Sequence, residues 1–141
     1  MIPELDDCIL DHIAIAVDDI EASVKRYEQL GLKFDSKREV VASQKVKTAF
    51  CPIDSHAHIE LLEPTSEESN IYKFISKKGA GIHHLCFRVS DIIEKQKELE
   101  SKGFKFISVK PFEGANACLV NFIHPKSMHG VLVELSQRKE G

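Results

Sequence analysis

The chain contains one of its own segments twice. Residues 11–20 read DHIAIAVDDI and residues 83–92 read HHLCFRVSDI. At a spacing of 72, His12 falls on His84, Ile13 on Leu85, Ile15 on Phe87 and Val17 on Val89. The match continues through Asp19 and Asp91, Gly31 and Gly103, and Phe34 and Phe106. A second correspondence, at a spacing of 74, sets Ile59-Glu60-Leu61 on Val133-Glu134-Leu135. Self-similarity on this scale marks a fold built from two like units. Each unit opens on a strand carrying His and closes on a strand carrying Glu.

Period-two and helical patterns fill in the units. Residues 9–17 alternate as a strand, with Ile13, Ile15 and Val17 on one face and His12, Ala14 and Ala16 on the other. The aliphatic face calls for a helix layer, and the small residues beside His12 predict an open cavity opposite. Asp18 or Asp19 is placed to cap a helix whose Ile20, Val24, Tyr27 and Leu30 recur at helical spacing, and Gly31 stops it. Strands are predicted at 32–40, 45–52 and 56–62, with a turn at 52–55 and a connecting helix over 67–77. In the second half the pattern predicts a strand from His84, a helix from Ser90 or Asp91 to Ser101 stopped by Gly103, and strands at 104–109, 117–123 and 130–136. Residues 137–141 read as a tail. The predicted fold is α+β: two tandem βαβββ modules (about 8–64 and 82–137, joined by 65–81) forming a curved sheet within a single domain, 1–141.

The composition, 43% hydrophobic and 29% charged with a net charge of −3, is that of a globular chain with no global attraction to nucleic acid or anionic membrane. No apolar run reaches the roughly 18 residues of a membrane span. The acidic start MIPELDDCIL lacks a secretion signal. Cys8, Cys51, Cys86 and Cys118 form no C-x-x-C pair and read as reduced thiols, mostly packed in strands. A cytoplasmic location is expected.

His12, Glu60, His84 and Glu134 all fall on the face opposite the bulky aliphatics of their strands, an agreement that a one-residue slip would destroy. A single strand His or Glu is ordinarily structural or solvated. Four at duplicated positions with matching parity point to a metal site. Two imidazoles and two carboxylates suit Zn²⁺, Co²⁺, Ni²⁺, Mn²⁺ or Fe²⁺. With positions left open, such an ion acts as a Lewis acid on a substrate oxygen, favouring loss of the neighbouring C–H proton to form an enolate. Glu60 and Glu134, placed on either side, could take and return that proton. His58 shares the face of Glu60 and is the rival ligand. His83 reads as structural, His56 and His129 as solvated, and His124 as either a turn residue or a substrate contact. No Ser-His-Asp arrangement, phosphate-binding glycine loop or aromatic platform for nucleic acid is present.

LDHIAIAV, IELLEP, the segment Ser69–Ile75, GIHHLCFRVSDI and HPKSMHGVLVEL resemble the vicinal oxygen chelate superfamily over nearly the whole chain. Within it they are similar to the methylmalonyl-CoA epimerase family. The resemblance implies two βαβββ modules around a divalent metal, commonly in a homodimer, with ligands at His12, His84 and Glu134 and a fourth at Glu60. It implies an acyl-CoA substrate, (R)- and (S)-methylmalonyl-CoA interconverted by metal-assisted proton abstraction. Some members of that family carry a glutamate base at the position matched by Thr48, which is no general base at neutral pH. Lactoylglutathione lyase resembles the same plan and metal set, but GIHHLCF and HPKSMHGVLVEL favour the epimerases. A metal-free resistance module is the third reading, and retention of all four ligands counts against it.

Overall fold

The computed structural model describes residues 8–114 and 117–139. The acidic start at 1–7 and the last two tail residues lie outside that range. The elements follow in the order β1 (Ile9–Ala16), α1 (Ile20–Leu30), β2 (Glu39–Val41), β3 (Val46–Pro52), β4 (His58–Pro64), α2 (Asn70–Lys78), β5 (Gly81–Arg88), α3 (Ile92–Ser101), β6 (Phe112–Glu113), β7 (Leu119–Ile123) and β8 (Val133–Gln137). The described chain divides into two compact units, one of His12–His83 and the other of residues 84–114 and 117–139 together with 8–11. In the first unit the strand order is β2-β3-β4-β1, and in the second β5-β8-β7-β6. With α1 after β1 and α3 after β5, each is a βαβββ arrangement of the α+β class.

The repetition extends to hydrogen bonds. Asp19 accepts from the Ala22 amide at 3.1 Å, and Asp91 from the Glu94 amide at 3.1 Å, so both helices begin with an Asp N-cap, worth about 1 kcal/mol. At the first helical residue, Ile20 N–H donates to Glu63 Oε1 at 2.9 Å, and Ile92 N–H donates to Gln137 Oε1 at 2.9 Å. The side chain closing the last strand thus satisfies an amide that the helix itself cannot. Val17 N–H bonds to Leu62 O at 2.9 Å and Val89 N–H to Ser136 O at 2.8 Å, fixing the strand ends. Gly31 (φ +119°) and Gly103 (φ +96°) occupy left-handed backbone where each chain leaves its helix.

Packing of the first unit differs from expectation on one face. As the alternation predicts, Val17, Leu61 and Ala49 pack with Ile20 and Val24 of α1. The opposite face is closed along much of its length: Ala14 and Ala16 are fully buried with Val46, Leu62 and Ile71 of α2, flanked by Phe74 and Ile75. Small side chains there admit a helix, so the open face predicted for Ala14 and Ala16 is corrected. The second unit gathers Val89, Ile92, Ile123, Val133 and Leu135 into one core with Phe87, Leu99 and Phe106.

Several strands are shorter than the alternation predicts. Residues 32–38 are not a strand. Arg38 there bonds to Glu21 at 2.8 Å and to Asp35 O at 2.7 Å. Residues 104–109 make only an isolated bridge between Phe106 and Ile123. Backbone bonds run from Ile107 N–H to Phe122 O and from His124 N–H to Lys105 O, but at Ser108 they give way to Asn121, fully buried, whose amide accepts from Ser108 N–H at 3.2 Å and donates to Ser108 O at 3.0 Å. The same amide donates to Gln96 Oε1 at 2.9 Å, and Gln96 donates to Val109 O at 3.0 Å. At a spacing of 72 the equivalents of Gln96 and Asn121 are Val24 and Ala49, so one unit packs apolar groups where the other packs two amides. β8 starts at Val133 rather than 130, because Pro125–Met128 forms a 3₁₀ turn that exits through His129 (φ +54°) and Gly130.

Cys51 and Cys86 are buried, Cys118 is half-buried and Cys8 exposed, all as thiols. Burial pushes the Cys51 thiol up, with Asp35 adding to the effect against a backbone hydrogen bond from Lys33. Among the described residues no helix is long and apolar enough to cross a membrane. Asn121→Ala strands Gln96 and the Ser108 backbone, and is expected to lower stability by about 2–4 kcal/mol. Urea unfolding checks this, with exposed Gln29→Ala within about 0.5 kcal/mol of the parent as reference.

Candidate functional site

In the second unit β5 runs parallel to β8 with Cys86 opposite Glu134 and Leu85 opposite Val133. Because Val133 and Leu135 belong to the core, Glu134 turns to the other face, which alternation gives also to His84 and Cys86. There His84 Nε2 lies 3.1 Å from Glu134 Oε1, with side-chain exposures of 10% and 13%. The ring of His84 stands edge-on to Phe122, centroids 5.8 Å apart. Asp11, in the same unit, receives Arg138 Nη2 at 3.3 Å and lies 3.4 Å from Arg88 Nε.

The first unit repeats the strand arrangement and adds a residue. β1 runs parallel to β4 with His12 opposite His58 and Ala14 opposite Glu60. Ala14 and Glu60 thus hold the places that Cys86 and Glu134 hold in the second unit. The His12 and His58 rings stack at 4.9 Å, and His58 Nε2 lies 3.2 Å from Glu60 Oε2. β3 sets Phe50 opposite Glu60, and the Phe50 ring lies 4.2 Å from that of His58. Thr48 is half-buried on β3, opposite Leu62. The turn delivering His58 to β4 is held by Asp54 Oδ1, which accepts from the amides of His56 and Ala57 at 2.8 Å each. Those bonds, that of Ala57 first, hold the Asp54 carboxyl below its usual range.

Each unit therefore joins imidazole nitrogen to carboxylate oxygen on one face. Such groups are candidate ligands for a divalent cation, as hard and borderline donors; Glu134 is the more shielded carboxylate, at 13% exposure against 28% for Glu60. The remaining histidines have other uses. His124 Nδ1 accepts from the Lys126 amide at 3.1 Å, which makes it a turn residue, and Lys126 is exposed. His83 meets Phe74 edge-on at 4.9 Å, while His56 and His129 are exposed. The sequence reading did not single out Phe50. The pairing of β3 with β4 across the 52–55 turn was the signal that could have placed it opposite Glu60.

Two βαβββ units, each with its His and Glu on adjacent parallel strands, have the vicinal oxygen chelate architecture. The glyoxalase/bleomycin resistance protein/dioxygenase superfamily matches residues 11–122. An uncharacterized Bacillus subtilis protein is 40% identical over 131 residues, covering 92% of both chains. The ethylmalonyl-CoA/methylmalonyl-CoA epimerase of Cereibacter sphaeroides is 38% identical over 131 residues, covering 91% of this chain and 96% of its own. The crystal structure of methylmalonyl-CoA epimerase from Mycobacterium tuberculosis matches with a TM-score of 0.85 and 33% identity, over 99% of this chain and 94% of that one. The chain belongs to the glyoxalase/bleomycin resistance protein/dioxygenase superfamily.

The lowered Asp54 carboxyl means that its hold on the turn is complete above the ordinary carboxylate pKa and is lost as pH falls through the depressed value. Hydrogen exchange at the His56 and Ala57 amides is expected to be slow at pH 6 and to accelerate several-fold in Asp54→Ala, which NMR of the two variants would read directly.

Proposed function

We propose that the chain is a divalent-metal-dependent methylmalonyl-CoA epimerase, an isomerase interconverting the (R) and (S) thioesters. The reading rests on the pairing of His84 with Glu134 at 3.1 Å in the second unit, taken with the epimerase relatives. His12, Glu60, His84 and Glu134 would hold the ion, and the nitrogen and oxygen donor set fits it. When bound, a divalent ion supplies Lewis acidity that favours negative charge on the thioester oxygen.

The protein's own part is proton transfer. One carboxylate removes the C2 proton, and the electrons of the broken C–H bond delocalise towards the thioester oxygen as an enolate. The other glutamate, starting as the carboxylic acid, delivers its proton to the opposite face of C2 and is left as the carboxylate. Glu60 and Glu134 are assigned these roles, since the resemblance to the epimerases sets Thr48, whose hydroxyl cannot serve at neutral pH, where some of them carry a glutamate base. The second unit shields Glu134 to 13% exposure, which keeps bulk water from competing for the proton. A homodimer, a cytoplasmic location and one domain spanning both units complete the proposal.

Proton NMR of methylmalonyl-CoA in D₂O tests the chemistry. The Co²⁺-loaded protein is expected to exchange the C2 proton far above background, and chelator treatment to abolish exchange reversibly. Glu134→Gln and Glu60→Gln should each slow it by about 10²–10⁴-fold, the usual worth of a general acid or base. Full exchange by Glu60→Gln with metal bound would remove Glu60 from the mechanism. Turnover of glutathione hemithioacetal without exchange of methylmalonyl-CoA would make the chain a lyase instead.

A further inference from the structure

The two units treat their carboxylates differently. In the second, Glu134 is met by His84 itself, 3.1 Å away. In the first, His58 stands 3.2 Å from Glu60 and stacks on the ring of His12. At the spacing of 74 that relates Glu60 to Glu134, the counterpart of His58 is Leu132, which cannot donate a hydrogen bond. His58 is thus an addition peculiar to one half of the duplication.

We infer that His58 is a positioning residue for Glu60. A carboxylate offers only acceptors, so His58 Nε2 carries its hydrogen and donates to Oε2. The ring cannot easily turn away: His12 lies against it at 4.9 Å with the planes 30° apart, and Phe50 at 4.2 Å with the planes 32° apart. Backbone register fixes both neighbours, since His12 is opposite His58 on β1 and Phe50 is opposite Glu60 on β3. With 15% of its side chain exposed, His58 holds a bond that water competes for weakly. An outer hydrogen bond of this kind orients a ligand carboxylate and sets how strongly it binds. The inference rests on the metal-dependent reading above. It places His58 outside the coordination sphere, acting through Glu60.

Co²⁺ titration by calorimetry across a mutant cycle tests it, independently of turnover. His58→Phe keeps a ring but removes the donor, and is expected to weaken Co²⁺ binding by about 10-fold. His58→Gln, which restores an N–H at similar reach, should stay within about 3-fold of the parent. In a Glu60→Ala background His58→Phe should change affinity by less than about 2-fold, because the carboxylate through which it acts is gone. An undiminished loss in that background, or no loss in His58→Phe with Glu60 present, overturns the inference while leaving the metal site standing. Absence of Co²⁺ binding by the unmutated protein would overturn the metal reading itself, and the assignment of His58 with it.

Discussion

Parallel pairing of the first and last strands in each unit is the constraint on which the candidate site depends. Strands brought side by side in parallel need a crossover between them, and here the helix and two further strands supply it. The pairing places Ala14 opposite Glu60 and Cys86 opposite Glu134. Each histidine then stands one alternation back along the same face. Slipping either strand by one residue would bury the carboxylate among aliphatic groups and expose the core, at a cost of several buried side chains, about 1.5–3 kcal/mol each. The register that holds the core together therefore also holds the chemistry.

Closure of the strand ends reinforces that register. The side chains of Glu63 and Gln137 reach the first amides of α1 and α3, and Ile20 and Ile92 are buried at those same points. A shift of β4 or β8 would break the cap as well as the ladder. Both helices thereby act as clamps on the strand that carries the candidate glutamate.

Much of this was legible in the sequence because it depends on local periodicity. The alternation in IAIAV and in LCFRV identifies the core face, and the repeat doubles every inference drawn from it. What escaped depends on contacts between distant residues. Ala14 and Ala16 say only that something can approach closely, and Ile71 of α2 supplies it. The alternating pattern at 104–109 pairs only briefly, and at Ser108 the backbone bonds go to the side chain of Asn121, thirteen residues beyond it. His58 was visible as a neighbour of Glu60, but its stacking between His12 and Phe50 follows from pairings across three strands. The candidate ligands stand out in the sequence by their repetition, whereas the surroundings of His58, which breaks the repetition, follow only from the strand pairings.

The amides of Gln96 and Asn121, set where the other half has Val24 and Ala49, also bear on the history of the duplication. Each amide satisfies part of the other, 2.9 Å apart in a position closed to water. Replacing either one alone by its apolar counterpart abandons a buried polar group, which costs about 1–3 kcal/mol. The two halves consequently no longer exchange residues freely at these positions: a return to symmetry must pass through a less stable intermediate. Epistasis of this kind acts as a ratchet, preserving the difference between two copies that began alike.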